Sequence, residues 1–188
     1  MYFQSRRART YAQRFAGIGG GSVSPTLASL HTIGDGADGT IQTLKMMRTE
    51  ALKALTDPQQ IVRLTVLDLC ADLEQRDWFG QVEAMHAFVR DCIRYMPDPA
   101  DLELLQTPQK TLEFGQGDCD DQSMLLASML KCADHPARFI AVGFDGGPFS
   151  HVLCDTKIGA DWVPCETIIP VPLGWFPDGV TKSYILDV

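Results

Sequence analysis

The chain has 188 residues, a length that suits one ordinary domain able to bury its own hydrophobic core. Its composition, 45% hydrophobic and 21% charged, is typical of a soluble globular protein, and no apolar run approaches the roughly 20 residues that cross a bilayer. A formal net charge of -8 argues against nucleic acid as the main partner, because phosphate binding needs clustered Lys and Arg. We therefore expect a soluble protein without nucleic-acid or membrane partners.

The first 37 residues differ in composition from the rest. Residues 1–5 resemble the remnant of an expression tag and carry no functional argument. Residues 1–34 contain four arginines and no acidic residue, and the Gly-rich stretch within them lacks a P-loop lysine. We expect a basic arm over 1–37, either solvated or in contact with a neighbouring subunit, and a single domain over 38–188. The oligomeric state stays open.

Hydrophobic periodicity predicts helices in the first part of the chain. The second of three helices begins at Asp57-Pro58, a capping residue followed by proline, and its apolar stripe includes Leu64 and Leu67. The first helix is expected over 39–55, and the third follows Asp77 and ends before Pro97. A loop of about fifteen residues then leads to Gly115.

The second part of the chain predicts one more helix and then strands. The helix spans 119–133, and the strands span 137–144, 150–156, 162–166 and 182–188. Helices followed by strands favour an α+β domain with an antiparallel sheet.

The six cysteines show no metal-binding spacing. Cys70, Cys92 and Cys132 fall in apolar helical stretches, where a free cysteine behaves as a small hydrophobic residue. Scattered thiols in a chain of this length indicate synthesis in a reducing compartment. We expect neither a cofactor nor a metal ion.

Cys119 stands where a Gly-rich turn becomes a helix. Unpaired N–H groups and the positive end of the helix dipole stabilise a thiolate at such a position. Cys119 is therefore the candidate nucleophile, and its own backbone N–H is a candidate donor to an oxyanion. Gln116 and Tyr95 are candidates for the second donor, and the sequence does not choose between them.

A predicted hairpin selects the partners of this thiol. If its turn is centred between residues 158 and 159, His151 faces Glu166 and Asp155 faces Trp162. The alternation of side chains also places Cys154 and Cys165 together on the other face, as structural residues. His151 is then the base that pairs with the thiol, and Glu166 orients its ring.

These residues resemble the transglutaminase-like cysteine protease superfamily, in particular a small branch found in bacteria and tailed phages. The resemblance covers roughly residues 95–166. It is carried by Gly117-Asp118-Cys119-Asp120-Asp121, the leucines of the following helix, 135–143, His151-Val152 and 162–166. It implies a papain-like core with the nucleophile at a helix N-terminus, packed on a sheet that bears the histidine and the acid.

The resemblance also implies acyl transfer through a thioester, with a protein or peptide as substrate and water or an amine as acceptor. The expected function is that of a cysteine protease, in the cytoplasm of a bacterium, or in a host cytoplasm or virion if the gene is phage-encoded. Two alternatives stay open: a weakly catalytic assembly protein, as in phage morphogenesis, and a cross-linking transglutaminase. The acids Asp120 and Asp121 bear on this choice, because negative charge opposes thiolate formation.

Several other side chains have a structural interpretation beside the functional one. Asp118, Asp120 and Trp162 are candidates to line the cleft, and packing is favoured slightly for Trp162. His86 and His135 are expected to be structural, and Arg138 is expected to form an ion pair. Asp118, Cys119, Asp120, His151 and Glu166 include metal-ligand types, but they lack the close-spaced pair on one helix face that zinc sites usually show.

Overall fold

The structure is a computed structural model that describes residues 36–99 and 104–188, together with the backbone of 29–30. The predicted arm over 1–37 therefore lies almost entirely outside the described residues, as does the tag remnant. Five helices are present in the described part of the chain. They are α1 (Ala37–Lys53, continued by a 3-10 turn at Ala54–Thr56), α2 (Ile61–Leu69), α3 (Trp78–Cys92), α4 (Pro108–Phe114) and α5 (Cys119–Cys132).

Eight strands form three sheets in the same residues. Four are two-residue strands: β1 (Ser29–Leu30) pairs antiparallel with β3 (Leu104–Leu105), and β2 (Arg94–Tyr95) pairs parallel with β4 (Gln116–Gly117). The main sheet has the order β7-β6-β5-β8 and is antiparallel throughout. Its strands are β5 (Ala137–Phe144), β6 (Phe149–Ile158), β7 (Asp161–Cys165) and β8 (Val180–Asp187). The predicted α+β class and antiparallel sheet are confirmed.

Helix α5 is the centre of the molecule. Every residue from Asp120 to Leu130 is buried, because the helix packs against β6 on one side and against α1, α3 and α4 on others. The core around it includes Phe139 and Val152 from the sheet. A helix enclosed in this way fixes the position of its first residue, Cys119, relative to β6.

Helix α2 begins later than predicted. Asp57-Pro58 forms a turn, Gln60 takes a left-handed φ of 52°, and the helix starts at Ile61. A left-handed residue breaks the run of α-helical dihedrals, so the helix cannot reach back to Asp57. The predicted apolar stripe was wrong as well, because Leu64 and Leu67 are 57% and 58% exposed. The buried residues of α2 are Val62, Thr65 and Val66.

The predicted loop before Gly115 contains a helix that the sequence reasoning missed. Thr107 caps α4 by accepting the backbone N–H of Lys110 at 3.3 Å, and Pro108 occupies its first turn. Gly115 ends the helix with a φ of 62°. Capping threonine, proline and C-terminal glycine are standard helix signals, and they could have identified α4.

Among the described helices, none is both long and apolar enough to span a membrane.

Candidate active site

Cys119 is the first residue of α5, and Asp118 is its N-cap. The carboxylate of Asp118 accepts hydrogen bonds from the backbone N–H groups of Asp120 and Asp121 at 3.0 and 3.1 Å. The backbone carbonyl of Asp118 accepts a hydrogen bond from the N–H of Gln122 at 3.1 Å. Asp118, proposed from the sequence as a cleft residue, therefore caps the helix. Within the described residues, the N–H of Cys119 has no acceptor, so it is the first-turn donor left for a bound group.

The thiol of Cys119 contacts one carboxylate and one backbone amide. Its Sγ lies 3.4 Å from Oδ1 of Asp120, and it accepts a hydrogen bond from the N–H of Val152. Burial raises the pKa of the thiol well above its ordinary value, the carboxylates of Asp120 and Asp118 raise it further, and the Val152 N–H opposes them. This direction is opposite to the thiolate activation expected from the helix N-terminus. The raised pKa and the contact with Asp120 both favour the neutral thiol over the thiolate.

His151 and Glu166 are hydrogen-bonded to each other. Nε2 of His151 lies 2.6 Å from Oε2 of Glu166, and the two side chains are only 12% and 2% exposed. The other oxygen of Glu166 accepts the N–H of Ile168 at 2.9 Å. Burial raises the pKa of Glu166, but the hydrogen bond from His151 and those from the Ile168 and Thr167 amides outweigh it, so the pKa is lowered. Glu166 is an anionic acceptor.

The contact with Glu166 fixes the chemistry of the His151 ring. A carboxylate accepts, so Nε2 carries the proton in the neutral ring and Nδ1 carries a lone pair. Nδ1 has no hydrogen-bond partner among the residues that the structure describes. His151 precedes Val152 in β6, and the N–H of Val152 contacts the Cys119 sulfur. The unprotonated Nδ1 of His151 therefore lies on the part of β6 that is next to the thiol.

The β6–β7 hairpin pairs two residues away from the predicted register. Asp155 was expected opposite Trp162, but it lies opposite Pro164. The reason is the turn, because the strands close on the two residues 159–160 instead of on four. Gly159, with a φ of 64°, adopts the left-handed conformation that such a tight turn requires.

A shift of two residues leaves each side chain on its predicted face. Cys154 and Cys165 share a face, as predicted, and the observed register places them directly opposite each other in the core. If the register continued, Glu166 would lie opposite Leu153, with His151 as its diagonal neighbour. Diagonal Cβ atoms are about 7–8 Å apart, within reach of a long side chain, so glutamate suits this position better than the shorter aspartate.

A β-bulge lies immediately before His151. Val142 pairs with His151, but Gly143 pairs with Phe149, so Ser150 is an extra residue on β6. Bulges bend a strand and redirect the adjacent side chain. The bulge thus contributes to the direction in which His151 leaves the sheet, and no pattern in the sequence indicated it.

Asp121 is turned away from the thiol and anchors the helix start. Its oxygens accept the backbone N–H of Gln106 at 2.8 Å and the Gln106 side-chain amide at 2.6 Å. Burial, and secondly the charge of Asp118, raise the pKa of Asp121 to about 7. Gly117 makes room for this side chain, because a Cβ there would lie 2.6 Å from the Cβ of Asp121. Of the two acids after Cys119, only Asp120 contacts the sulfur.

The two candidates for a second oxyanion donor occupy neighbouring strands. The side-chain oxygen of Gln116 accepts a hydrogen bond from the guanidinium of Arg94 at 2.6 Å. Tyr95 pairs with Gly117, two residues before Cys119, and is 46% exposed. Burial raises the pKa of the Tyr95 phenol, and the charge of Cys119 is the next cause, so the phenol lies within electrostatic range of the thiol.

Trp162, a cleft candidate in the sequence, packs elsewhere. Arg138 stacks on its ring, with Cζ 3.6 Å from the ring centroid, and forms an ion pair with Asp155. The predicted ion-pair role of Arg138 is confirmed. Asp155 is four residues from His151 along β6, about 13 Å for an extended strand, so this cluster lies well along the hairpin from the catalytic candidates.

His135 is also remote from the candidate site. It lies beyond the C-terminal end of α5, where its ring contacts Gln81 at 3.1 Å and Trp78 edge-on. Cys119 is at the other end of that helix. In the described residues, no group of three or more His, Cys, Asp or Glu side chains is arranged to hold a metal ion.

A family model for the transglutaminase-like superfamily matches residues 68–167, just over half of the chain. The chain belongs to the transglutaminase-like superfamily. The match contains Cys119, His151 and Glu166. No curated protein matches the chain.

Two solved structures are similar to this member of the superfamily. One is a proposed protease from Parabacteroides distasonis, with a TM-score of 0.53 and 13% identity over 68% of this chain and 26% of that chain. The other is a proposed cysteine protease from Cytophaga hutchinsonii, with a TM-score of 0.49 and 15% identity over 66% of this chain and 45% of that chain. The chain thus spans about a quarter of the first protein and less than half of the second. At 13% identity, the likeness to the Parabacteroides distasonis protein concerns the fold alone.

Proposed function

We propose that this protein is a thiol enzyme that cleaves a peptide or protein amide, with Cys119 as nucleophile, His151 as base and Glu166 as the orienting acid. The observation that carries the proposal is the 2.6 Å bond between His151 Nε2 and Glu166. It leaves Nδ1 basic on the residue next to Val152, which contacts the Cys119 sulfur. A base oriented by an anion beside a thiol is the arrangement that nucleophilic acyl transfer requires.

The reaction begins with proton transfer from the thiol of Cys119 to Nδ1 of His151. Glu166 stabilises the resulting imidazolium, and the thiolate attacks the amide carbon to form a C–S bond. The carbonyl electron pair moves to oxygen and returns as the amine leaves with the proton from His151, which gives a thioester. An acceptor deprotonated by His151 then attacks the thioester and restores the thiol.

The oxyanion is stabilised by the backbone N–H of Cys119, the first-turn donor that the Asp118 cap leaves without an acceptor in the described residues. Tyr95 supplies the second hydrogen bond, and Gln116 is the alternative donor. The Tyr95 phenol suits this role because it is partly exposed and within electrostatic range of Cys119.

The experiment compares Cys119→Ala with Cys132→Ala, a matched variant at the other end of the same helix. Each protein is incubated with a fluorogenic peptide-amide library and with a denatured protein, and products are measured by mass spectrometry. We expect cleavage by the wild type and by Cys132→Ala, none by Cys119→Ala, and similar melting temperatures for all three. An active Cys119→Ala protein contradicts the proposal.

The acceptor is tested in the same assay by adding a fluorescent primary amine. If water is the acceptor, the peptide gains a carboxylate and no fluorophore. If an amine competes, the product carries the fluorophore, and the cross-linking alternative is supported. Both products depend on Cys119, because both pass through the thioester.

One observation favours a second candidate, an assembly protein that keeps the fold with little turnover. Burial and two carboxylates raise the pKa of the Cys119 thiol, which disfavours the nucleophilic form. The pH dependence of Cys119 alkylation separates the candidates. Rapid alkylation down to about pH 6 supports the enzyme, whereas alkylation that requires a pH above about 8.5 supports the assembly protein.

A further inference from the structure

His86 is a buried histidine that joins α3 to the residue proposed as the catalytic acid. Its side chain has no exposed surface, and its Nε2 lies 2.6 Å from the backbone carbonyl oxygen of Glu166, 80 residues away in the chain. The catalytic steps above use only the side chain of Glu166. The contact with its carbonyl is a separate interaction from a different helix.

The protonation state of His86 follows from its acceptor. A carbonyl oxygen accepts, so Nε2 carries the proton. Nδ1 is buried and has no partner among the described residues, and burial lowers the pKa of the ring although the bond to Glu166 partly opposes this. His86 is therefore a neutral donor of fixed tautomer.

The Glu166 carbonyl belongs to a peptide unit with a second function. The N–H of that unit, on Thr167, donates a hydrogen bond to the Glu166 carboxylate. Because a peptide unit is planar, a donor that holds its C=O also sets the direction of its N–H. A hydrogen bond to the C=O polarises the N–H and strengthens its bond to the carboxylate. The interactions thus connect His86 to the carboxylate, and the carboxylate to His151.

A second side chain of α3 holds the same segment. Arg90, one turn after His86, donates to the carbonyl oxygen of Val171 at 2.9 Å. The segment 166–171 has no regular secondary structure and leaves the sheet directly after β7, so its own backbone pattern does not fix it. Two donors one turn apart on the same helix restrain both ends of the segment.

We propose that His86 is a positioning residue for the catalytic pair, which holds the Glu166–Thr167 peptide unit so that the Glu166 carboxylate faces Nε2 of His151. This inference rests on the proposed function of Glu166 and His151. It assigns to α3 a role in the site beyond packing, and it explains why a histidine occupies a fully buried position among apolar neighbours.

The test uses the different reach of two amide side chains. The amide nitrogen of glutamine can take the place of Nε2 of histidine, whereas that of asparagine falls short of the Glu166 carbonyl. We compare His86→Gln with His86→Asn, and add His86→Leu, which has no donor. His135→Leu is the control, because His135 is another buried histidine, bonded to Gln81 at 3.1 Å and remote from Cys119.

Two readouts are measured on folded protein below its melting temperature. Long-range 1H–15N correlation spectra give the tautomer of His151 in every variant, and iodoacetamide gives the pH profile of Cys119 alkylation. We expect wild type, His86→Gln and His135→Leu to keep the Nε2–H tautomer. In His86→Asn and His86→Leu we expect mixed tautomers and alkylation at pH 7 slower by about tenfold to a hundredfold, the loss typical of a misplaced catalytic group.

An unchanged His151 tautomer in folded His86→Asn overturns the inference. Mixed His151 tautomers and slower alkylation in His135→Leu also overturn it, because the effect would then not be specific to His86. If His86→Leu does not fold, the glutamine and asparagine pair still decides, since both side chains are polar and of similar size. The tautomer does not depend on turnover. A wild type that hydrolyses nothing and alkylates like an ordinary thiol therefore contradicts the proposed function alone.

Discussion

The thiol of Cys119 donates a hydrogen bond to the carboxylate of Asp120, with 3.4 Å between Sγ and Oδ1. The residue adjacent to the proposed nucleophile therefore stabilises its thiol and repels its thiolate. The helix N-terminus and the Val152 N–H act in the other direction. The balance between these opposing effects sets the pKa of the Cys119 thiol.

Replacing Asp120 by asparagine should increase the reactivity of Cys119. The amide keeps the shape of the carboxylate and removes its charge, so the pKa of the thiol falls. We expect alkylation at pH 7 to be about three- to tenfold faster, since one pKa unit changes the thiolate fraction about tenfold. Iodoacetamide kinetics measure this, with Asp178→Asn as a control at an exposed carboxylate. Slower alkylation in Asp120→Asn would mean that the carboxylate assists the reaction.

Glu166→Gln should keep the fold and lose most of the activity. A glutamine amide can donate to Nε2 of His151, which selects the wrong tautomer, and it cannot stabilise the imidazolium. We expect kcat to fall by about a hundredfold or more. The assay is hydrolysis of the best peptide found for the wild type, with Glu113→Gln, at an exposed ion pair with Lys110, as the control. Unchanged kcat would transfer the orienting role to another residue.

Asp121 should make the protein less stable as the pH rises toward neutrality. Its pKa is about 7 in the folded protein and 3.8 in a free carboxyl group. Between these values the folded state binds the additional proton, so the stabilisation is complete below about pH 4 and is lost as the pH rises through 7. Asp121→Asn does not titrate, and its amide can donate to the side-chain oxygen of Gln106, which is buried without a partner in the described residues.

Thermal melts of Asp121→Asn and wild type from pH 5 to pH 8 test this. We expect the melting temperature of Asp121→Asn to exceed that of the wild type by a margin that grows as the pH rises. The margin should be about 3–6 °C for each pKa unit by which folding raises the pKa of Asp121. The comparison isolates Asp121 from the other buried acids, which both proteins share. Asp134→Asn, at an exposed acid, is the control. Parallel curves for variant and wild type would show that Asp121 does not titrate in this range.

Arg138→Met should destabilise the fold and leave Cys119 unaffected. Asp155 is 3% exposed, and without Arg138 its charge is buried and unpaired, at a cost of about 3–5 kcal/mol. For a protein of this size that lowers the melting temperature by about 10 °C. Lys157→Met, at an exposed position on the same strand, is the control. A changed pH profile of Cys119 alkylation in folded Arg138→Met would mean that the Trp162 cluster belongs to the site.

Local chemistry in the sequence predicted most elements of the fold. Asp77 caps α3 by accepting the N–H of Gly80 at 2.9 Å, where the sequence predicts a helix start. The four main strands lie where alternation and β-branched residues predict them. Helix α2 was misplaced because Gln60 takes a left-handed conformation, which no property of glutamine indicates.

The sequence by itself determined which residues are candidates for the site. Cys119 follows a turn at a helix start, and strand alternation places His151 and Glu166 on one face whether the register is the predicted one or the observed one, because the two differ by two residues. Only the tertiary structure decided the electrostatics of the thiol. The burial of Cys119, which is the largest cause that raises its pKa, depends on packing against segments distant in the chain. The contact with Gln106 turns Asp121 away, and Asp120 is left as the acid that contacts the sulfur.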